Sequence, residues 1–210
     1  MLDDAIDASE ASLLSAELQQ LYKAGRFGDA STSFRGDSLL FMREQQATAA
    51  RMPALAATVR LLKGIAHELS RLHSRGGPLT AAPRVQVACY PPGAGYKVHQ
   101  DVKLDEYEPN GRTNWRVFTV ICYANADWRS EHGGCLRLHH AARTIPGGFV
   151  LGGRPPSGQP AFTDVAPHAG RVVVFDSLVP HEVLPARRER FAVTLWVWRE
   201  DGEEEKYCLS

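Results

Sequence analysis

Three residues in the second half of the chain have the types and spacing to hold one metal ion. His99 and Asp101 are separated by a single residue, Gln100. On an extended strand, residues i and i+2 project from the same face, so an imidazole and a carboxylate there converge on one point. A further histidine would complete a two-histidine, one-carboxylate facial triad, a donor set suited to iron(II) with coordination positions left open. His181, in FDSLVPHEVLPA behind the apolar run RVVVF, is the candidate. Taken alone, H-x-D also describes an exposed strand with a surface ion pair, and a single histidine after a strand is usually structural. Arg190, nine residues beyond His181, adds a second kind of chemistry. It heads RFAVTLWVW, a segment whose two faces are otherwise uncharged. A guanidinium there is costly unless it meets an anion, and its fork matches a carboxylate with two parallel hydrogen bonds. A dicarboxylate co-substrate would supply that anion.

These residues need a rigid frame, and the patterning predicts one of mixed type. Residues 9–24 read as a first helix, with Leu14, Leu18 and Leu21 on one face, Asp7 and Glu10 at capping-box spacing, and Gly25 placed to end it. Residues 37–43 suggest a strand. A second helix is expected from Pro53, with Leu55, Val59, Leu62, Ile65, Leu69 and Leu72 forming an apolar stripe that packs on a sheet. RGGPLTAAP (75–83) breaks that pattern. From residue 84 the period changes to two: 84–90, 95–101, 116–124, 134–139, 171–175 and 190–198 are strand candidates. Two long loops, 102–115 and 140–162, separate them and could clamp an extended substrate. The expected division is 1–83, helices and a strand supporting the core; 84–200, the strand-rich core of the same integrated domain; and 201–210, a charged tail.

The 24 basic and 24 acidic residues cancel, which argues against a polyanion partner such as nucleic acid. Cys89, Cys122, Cys135 and Cys208 form no C-x-x-C pair, so neither a zinc ribbon nor a disulfide scaffold is expected. The acidic N-terminus and the lack of a long apolar run point to a soluble cytoplasmic protein, or a nuclear one in a eukaryote. No membrane partner is expected, and the oligomeric state is open, with a monomer the simplest case.

The segments VACYPPGAGYKVHQD, RVFTVICYANADW, GGCLRLH and PHEVLPARRERFAVTLWVW, with LYKAGRFGD and RGDSLLFM upstream, resemble the prolyl 4-hydroxylase family of Fe(II)/2-oxoglutarate-dependent dioxygenases. They are most similar to the hypoxia-inducible-factor-type prolyl hydroxylases and their bacterial relatives. The fold this resemblance implies is mostly β with N-terminal helices: a double-stranded β-helix, or jelly roll, with helices packed on its major sheet. The cofactors implied are Fe(II), 2-oxoglutarate and O2, with ascorbate as a candidate accessory. The partner implied is a protein or peptide containing proline, hydroxylated with release of succinate and CO2. His99, Asp101 and His181 match the iron ligands. Arg190 matches the arginine that pairs with the distal carboxylate of 2-oxoglutarate, and Tyr123 a tyrosine that also reaches it. Tyr90, Ile121, Leu136, Thr194 and Trp196 match pocket positions. Arg116 and Asp37 match a salt bridge at the substrate entrance.

The chain departs from that family in the parts that read substrate. Only ASTSF separates Asp29 from Arg35, so the substrate-gripping finger is short, while loop 140–162 is longer. Other readings stay open: the same chemistry on a small molecule such as free proline or a natural-product intermediate, a non-catalytic jelly-roll binding module, or a zinc hydrolase. A radical halogenase would need a vacancy where Asp101 stands.

Overall fold

A computed structural model describes residues 1–73, 78–102, 116–140, 143–144, 150–151 and 160–199. The charged tail, most of the two long loops, and with them the clamp expected there lie outside these residues.

The first helix, α1 (Ala8–Lys23), is capped by Asp7, whose carboxylate accepts from the backbone N–H of Ser9 and Glu10. Gly25 follows in the left-handed region at φ 67°, a conformation that stops the helix at little cost. After β1 (Gly28–Asp29) and β2 (Ser38–Met42), a short helix α2 (Glu44–Ala49) leads into α3 (Pro53–Leu72). Proline suits the first turn of α3, where its missing N–H would have no partner. The next two N–H groups, of Ala54 and Leu55, donate to the buried carboxylate of Glu17 on α1 at 3.0 and 2.7 Å. One side chain thus caps α3 and joins it to α1.

The remaining strands are β3 (Leu79–Ala81), β4 (Val85–Tyr90), β5 (Tyr96–His99), β6 (Arg116–Tyr123), β7 (Leu136–His139), β8 (Arg143–Thr144), β9 (Val150–Leu151), β10 (Phe162–Val165), β11 (Val172–Asp176), β12 (His181–Val183) and β13 (Arg190–Arg199). The major sheet runs β1-β2-β4-β13-β6-β11, with β3 on the far end of β13; the minor sheet runs β10-β7-β12-β5. Their strand pairs are antiparallel. This is the expected mostly-β jelly roll with helices on its major sheet.

The alternation on β13 positions the site. Phe191, Val193, Leu195 and Val197 face the helices, in one cluster with Leu14, Leu18, Leu55, Val59 and Leu62. Arg190, Ala192, Thr194 and Trp196 face the other way and line the cavity between the sheets. Leu55 and Leu62 are fully buried, and removing each from water contributes about 1.5–3 kcal/mol. The α3 stripe is narrower than expected. Leu72 is 70% exposed, because seventeen steps of about 100° carry it roughly 100° away from Leu55. Ala66, not Ile65, is the fully buried residue of that turn. No described helix is long and apolar enough to cross a membrane.

Candidate active site

Strand pairing creates the metal centre. His181 on β12 is the direct cross-strand partner of His99 on β5, which brings the two imidazoles to a centroid separation of 4.2 Å. Asp101 follows two residues after His99, tied back by its backbone N–H to the Ser177 carbonyl at 3.1 Å. Its carboxylate oxygens lie 4.0 Å from His99 Nε2 and 3.8 Å from His181 Nε2. One ligand atom from each of the three falls within 4.8 Å of the others, the spacing of donors around a single ion.

Backbone carbonyls fix both imidazole tautomers. His99 Nδ1 lies 2.8 Å from the Lys97 carbonyl, and His181 Nδ1 lies 2.8 Å from the Val179 carbonyl. A carbonyl can only accept, so each Nδ1 carries the proton and each Nε2 turns a lone pair toward the common centre. Burial, and then the neighbouring His181, push His99 down to about 3, which keeps it neutral and able to ligate. Burial alone would raise Asp101, but His181, His99, Arg116 and the Thr119 hydroxyl outweigh it and hold the carboxyl below its usual value. Thr119 donates to Asp101 Oδ2 at 2.6 Å, and Ser177 Oγ stands 3.0 Å behind the Thr119 hydroxyl. The Tyr96 ring stacks on His99 at 3.6 Å, with the Arg35 guanidinium 4.5 Å from the centroid of its ring.

Arg190 supplies the second pole. It is 1% exposed, with its carbon Cζ 5.1 Å from the Tyr90 ring centroid and 5.0 Å from that of Tyr123. Nε donates to the Gly134 carbonyl at 2.7 Å. Among the described residues no carboxylate pairs with it. Arg187 and Arg188, the alternative anion clamps by sequence, are both exposed. Among the described residues the buried Tyr123 hydroxyl finds no hydrogen-bond partner. Burial raises both tyrosines above the ordinary phenol value, so each keeps its proton and can donate.

A cavity of about 190 Å³ joins the poles. The triad, Arg190, Tyr90, Ile121, Leu136, Thr194 and Trp196 all line it, with Thr119, Arg35 and Arg116. Tyr123 sits behind, against Arg190. The entrance pair is different from the expected one. Arg35, not Arg116, binds Asp37, through Nε at 2.5 Å and a terminal nitrogen at 2.6 Å. Arg116 instead lies over the Trp196 ring at 3.8 Å and donates to the Asp101 carbonyl at 3.3 Å. The reason is proximity: Arg35 stands two residues from Asp37 and reaches it with both prongs, which fills the carboxylate.

The donor set and the cavity fit iron(II) and 2-oxoglutarate. Two neutral imidazoles and one carboxylate suit iron(II) and leave positions for a chelating 2-oxo acid. An uncompensated buried guanidinium beside an orphaned phenol hydroxyl suits that acid's second carboxylate.

Residues 85–198 match the 2OG-Fe(II) oxygenase superfamily, and the chain belongs to it. The chain thus carries a 2OG-Fe(II) oxygenase domain, whose His/Asp/His site implies Fe(II) and 2-oxoglutarate. Several of the proteins it resembles are named prolyl hydroxylases. Human Egl nine homolog 1 is 28% identical over 218 residues, covering 96% of this chain and 44% of its own length. This chain spans about half the length of the mammalian Egl nine relatives it matches. The crystal structure of a Pseudomonas putida prolyl-4-hydroxylase superposes with a TM-score of 0.66 at 30% identity, covering 94% of this chain and 90% of that one. A prolyl hydroxylase from Trichoplax adhaerens, solved with a hypoxia inducible factor peptide fragment, gives 0.67 at 25% identity, covering 95% and 82%.

Proposed function

We propose that this protein hydroxylates a prolyl residue in a protein or peptide, coupled to conversion of 2-oxoglutarate and O2 into succinate and CO2. The observation that carries the chemistry is the single cavity shared by the His99–Asp101–His181 triad and the buried Arg190. The prolyl substrate is supported by solved structures titled prolyl hydroxylases that superpose over nearly the whole chain.

When bound, iron(II) and 2-oxoglutarate supply the oxidising power for hydroxylation. The protein's own part is positional and electrostatic. His99 and His181 present Nε2 lone pairs whose direction the Lys97 and Val179 carbonyls have set. Asp101 stays ionised, with Thr119 occupying one oxygen so that the other remains for the metal. Arg190 would pair with the distal carboxylate and hold the co-substrate in one orientation, with the Tyr123 ring packed behind its guanidinium. Ile121, Leu136 and Val183 line the same cavity with apolar surface, which limits water.

The test is succinate production from 2-oxoglutarate by anaerobically iron-loaded protein exposed to air, with and without a pool of proline-rich peptides. Succinate that rises with peptide, together with a mass gain of one oxygen on proline, is the expected result. Succinate indifferent to peptide would move the substrate to the small-molecule class. No succinate from protein shown to hold iron would overturn the reading.

A further inference from the structure

The run Asn125-Ala126-Asp127-Trp128 and the pair Gly133-Gly134 line no part of the cavity, yet Asn125 bonds the residue after Arg190 and Gly134 bonds Arg190 itself. Asn125, 5% exposed, replaces a strand neighbour. Its Nδ2 donates to the carbonyls of Phe191 and Pro167, both at 2.9 Å, and its Oδ1 accepts from the Phe191 N–H at 2.6 Å. Both backbone groups of the residue after Arg190 are thereby fixed. Trp128, also buried, donates its indole N–H to the Gly133 carbonyl at 3.1 Å. The next carbonyl, of Gly134, receives Arg190 Nε.

Both glycines are required by space and by conformation. Each has φ +66°, where a side chain is strained. A Cβ on Gly133 would meet the Pro185 carbonyl oxygen at 2.6 Å. A Cβ on Gly134 would stand 3.1 Å from Arg190 Cδ, Trp128 Cζ2 and the Ala186 Cβ together. The Arg190 stem is therefore packed closely against Gly134, where an added Cβ would press on it.

We infer that Asn125, Trp128 and Gly134 form a positioning device for Arg190: they spend its Nε on a fixed carbonyl and so aim its two terminal nitrogens at the distal carboxylate of the co-substrate. A guanidinium has one N–H on Nε and four on the terminal nitrogens. Anchoring the first removes rotation about the end of a long side chain, and the others keep the fork that a carboxylate takes up. The inference rests on the reading of Arg190 as the 2-oxoglutarate clamp.

The experiment compares two ligands on anaerobic, iron(II)-loaded protein by calorimetry: 2-oxoglutarate, and 2-oxopentanoate, which has the same chelating head and no distal carboxylate. Arg190→Ala serves as the reference and should weaken 2-oxoglutarate alone. Gly134→Ala should reproduce that selective loss at about tenfold, and the milder Trp128→Phe at about threefold, with 2-oxopentanoate and iron affinities unchanged. Trp128→Phe keeps the ring packing and deletes one N–H, so it carries the test if Gly134→Ala does not fold. Variants that bind 2-oxoglutarate like the parent, or that weaken both ligands alike, overturn the positioning role while an intact Arg190→Ala effect preserves the clamp. An Arg190→Ala protein with unchanged 2-oxoglutarate affinity overturns the clamp and the positioning role together.

Discussion

Replacing Thr119 by valine removes one hydroxyl, which donates to the Asp101 carboxylate and meets Ser177 Oγ. The side chains are nearly the same shape, and Thr119 is 1% exposed, so packing is preserved and one hydroxyl is lost. That hydroxyl donates to Asp101 Oδ2 at 2.6 Å. A hydrogen bond to a charged group contributes about 1.5–3 kcal/mol. At ~1.4 kcal/mol per decade this corresponds to roughly tenfold to a hundredfold in iron(II) affinity, the range typical for groups that orient a metal ligand. The Asp101 side chain is 12% exposed, so water can replace part of the bond. The lower half of the range, about tenfold to thirtyfold, is therefore expected. Ser177→Ala should do less, since Ser177 Oγ reaches Asp101 only through Thr119. Anaerobic competition against a chromophoric chelator measures both constants. A Thr119→Val protein that binds iron within twofold of the parent, with unchanged thermal stability, would refute the claim that Thr119 orders the carboxylate for the metal.

Three further outcomes follow from the same structure. Asp101→Ala should abolish succinate formation, and full activity in the standard assay would sink the triad. Glu17→Ala removes two charge-assisted bonds from the start of α3 and should cost about 2 kcal/mol of stability, read by denaturant unfolding, with no change in 2-oxoglutarate affinity. Burial pushes the Cys89 and Cys122 thiols up to about 12, against an ordinary value near 9. A pKa raised in the folded state favours folding fully below the unfolded value and loses that contribution as pH climbs toward the folded one. Stability should thus decline above about pH 9, and both thiols should resist iodoacetamide at pH 8, as peptide mass mapping would show.

The site was legible in sequence wherever chemistry and periodicity coincide. The expected strand places His99 and Asp101 on one face, although β5 ends at His99 and Asp101 lies on the bend after it, and Arg190 falls on the inward parity of β13; spacing singles these residues out and the family resemblance decides for them. Thr119 could have been found the same way, since it alternates inward with Ile121 and Tyr123 on β6. The Lys97, Val179 and Gly134 carbonyls could not, because every residue carries a carbonyl and only the fold selects which one faces a ring or a guanidinium. The Arg35–Asp37 pair was hidden for a related reason: a carboxylate can be claimed by either of two arginines, and local geometry decides. Among elements, α2, β1, β3, β8, β9, β10 and β12 went unassigned because each carries too few apolar repeats to show a period. Their pairing partners supply the stability that their own sequence lacks.

The two poles of the cavity are built by different means, and this separates their energetics. The metal ligands come from β5, β12 and the turn after β5, at one side of the minor sheet, and are oriented by local carbonyls and by Thr119 across the cavity. Arg190 comes from β13, inside the major sheet between β4 and β6, and its Nε is held by the Gly134 carbonyl, on a loop separate from the segments that carry the metal ligands. Groups in separate networks act nearly additively. Thr119→Val should therefore shift iron affinity and leave the preference for 2-oxoglutarate over 2-oxopentanoate intact, whereas Gly134→Ala should erode that preference and leave iron alone. The double variant should show the sum of the two losses. A clear excess or deficit would mean that the co-substrate couples the poles, and the chelate itself would then be the element that rigidifies the site.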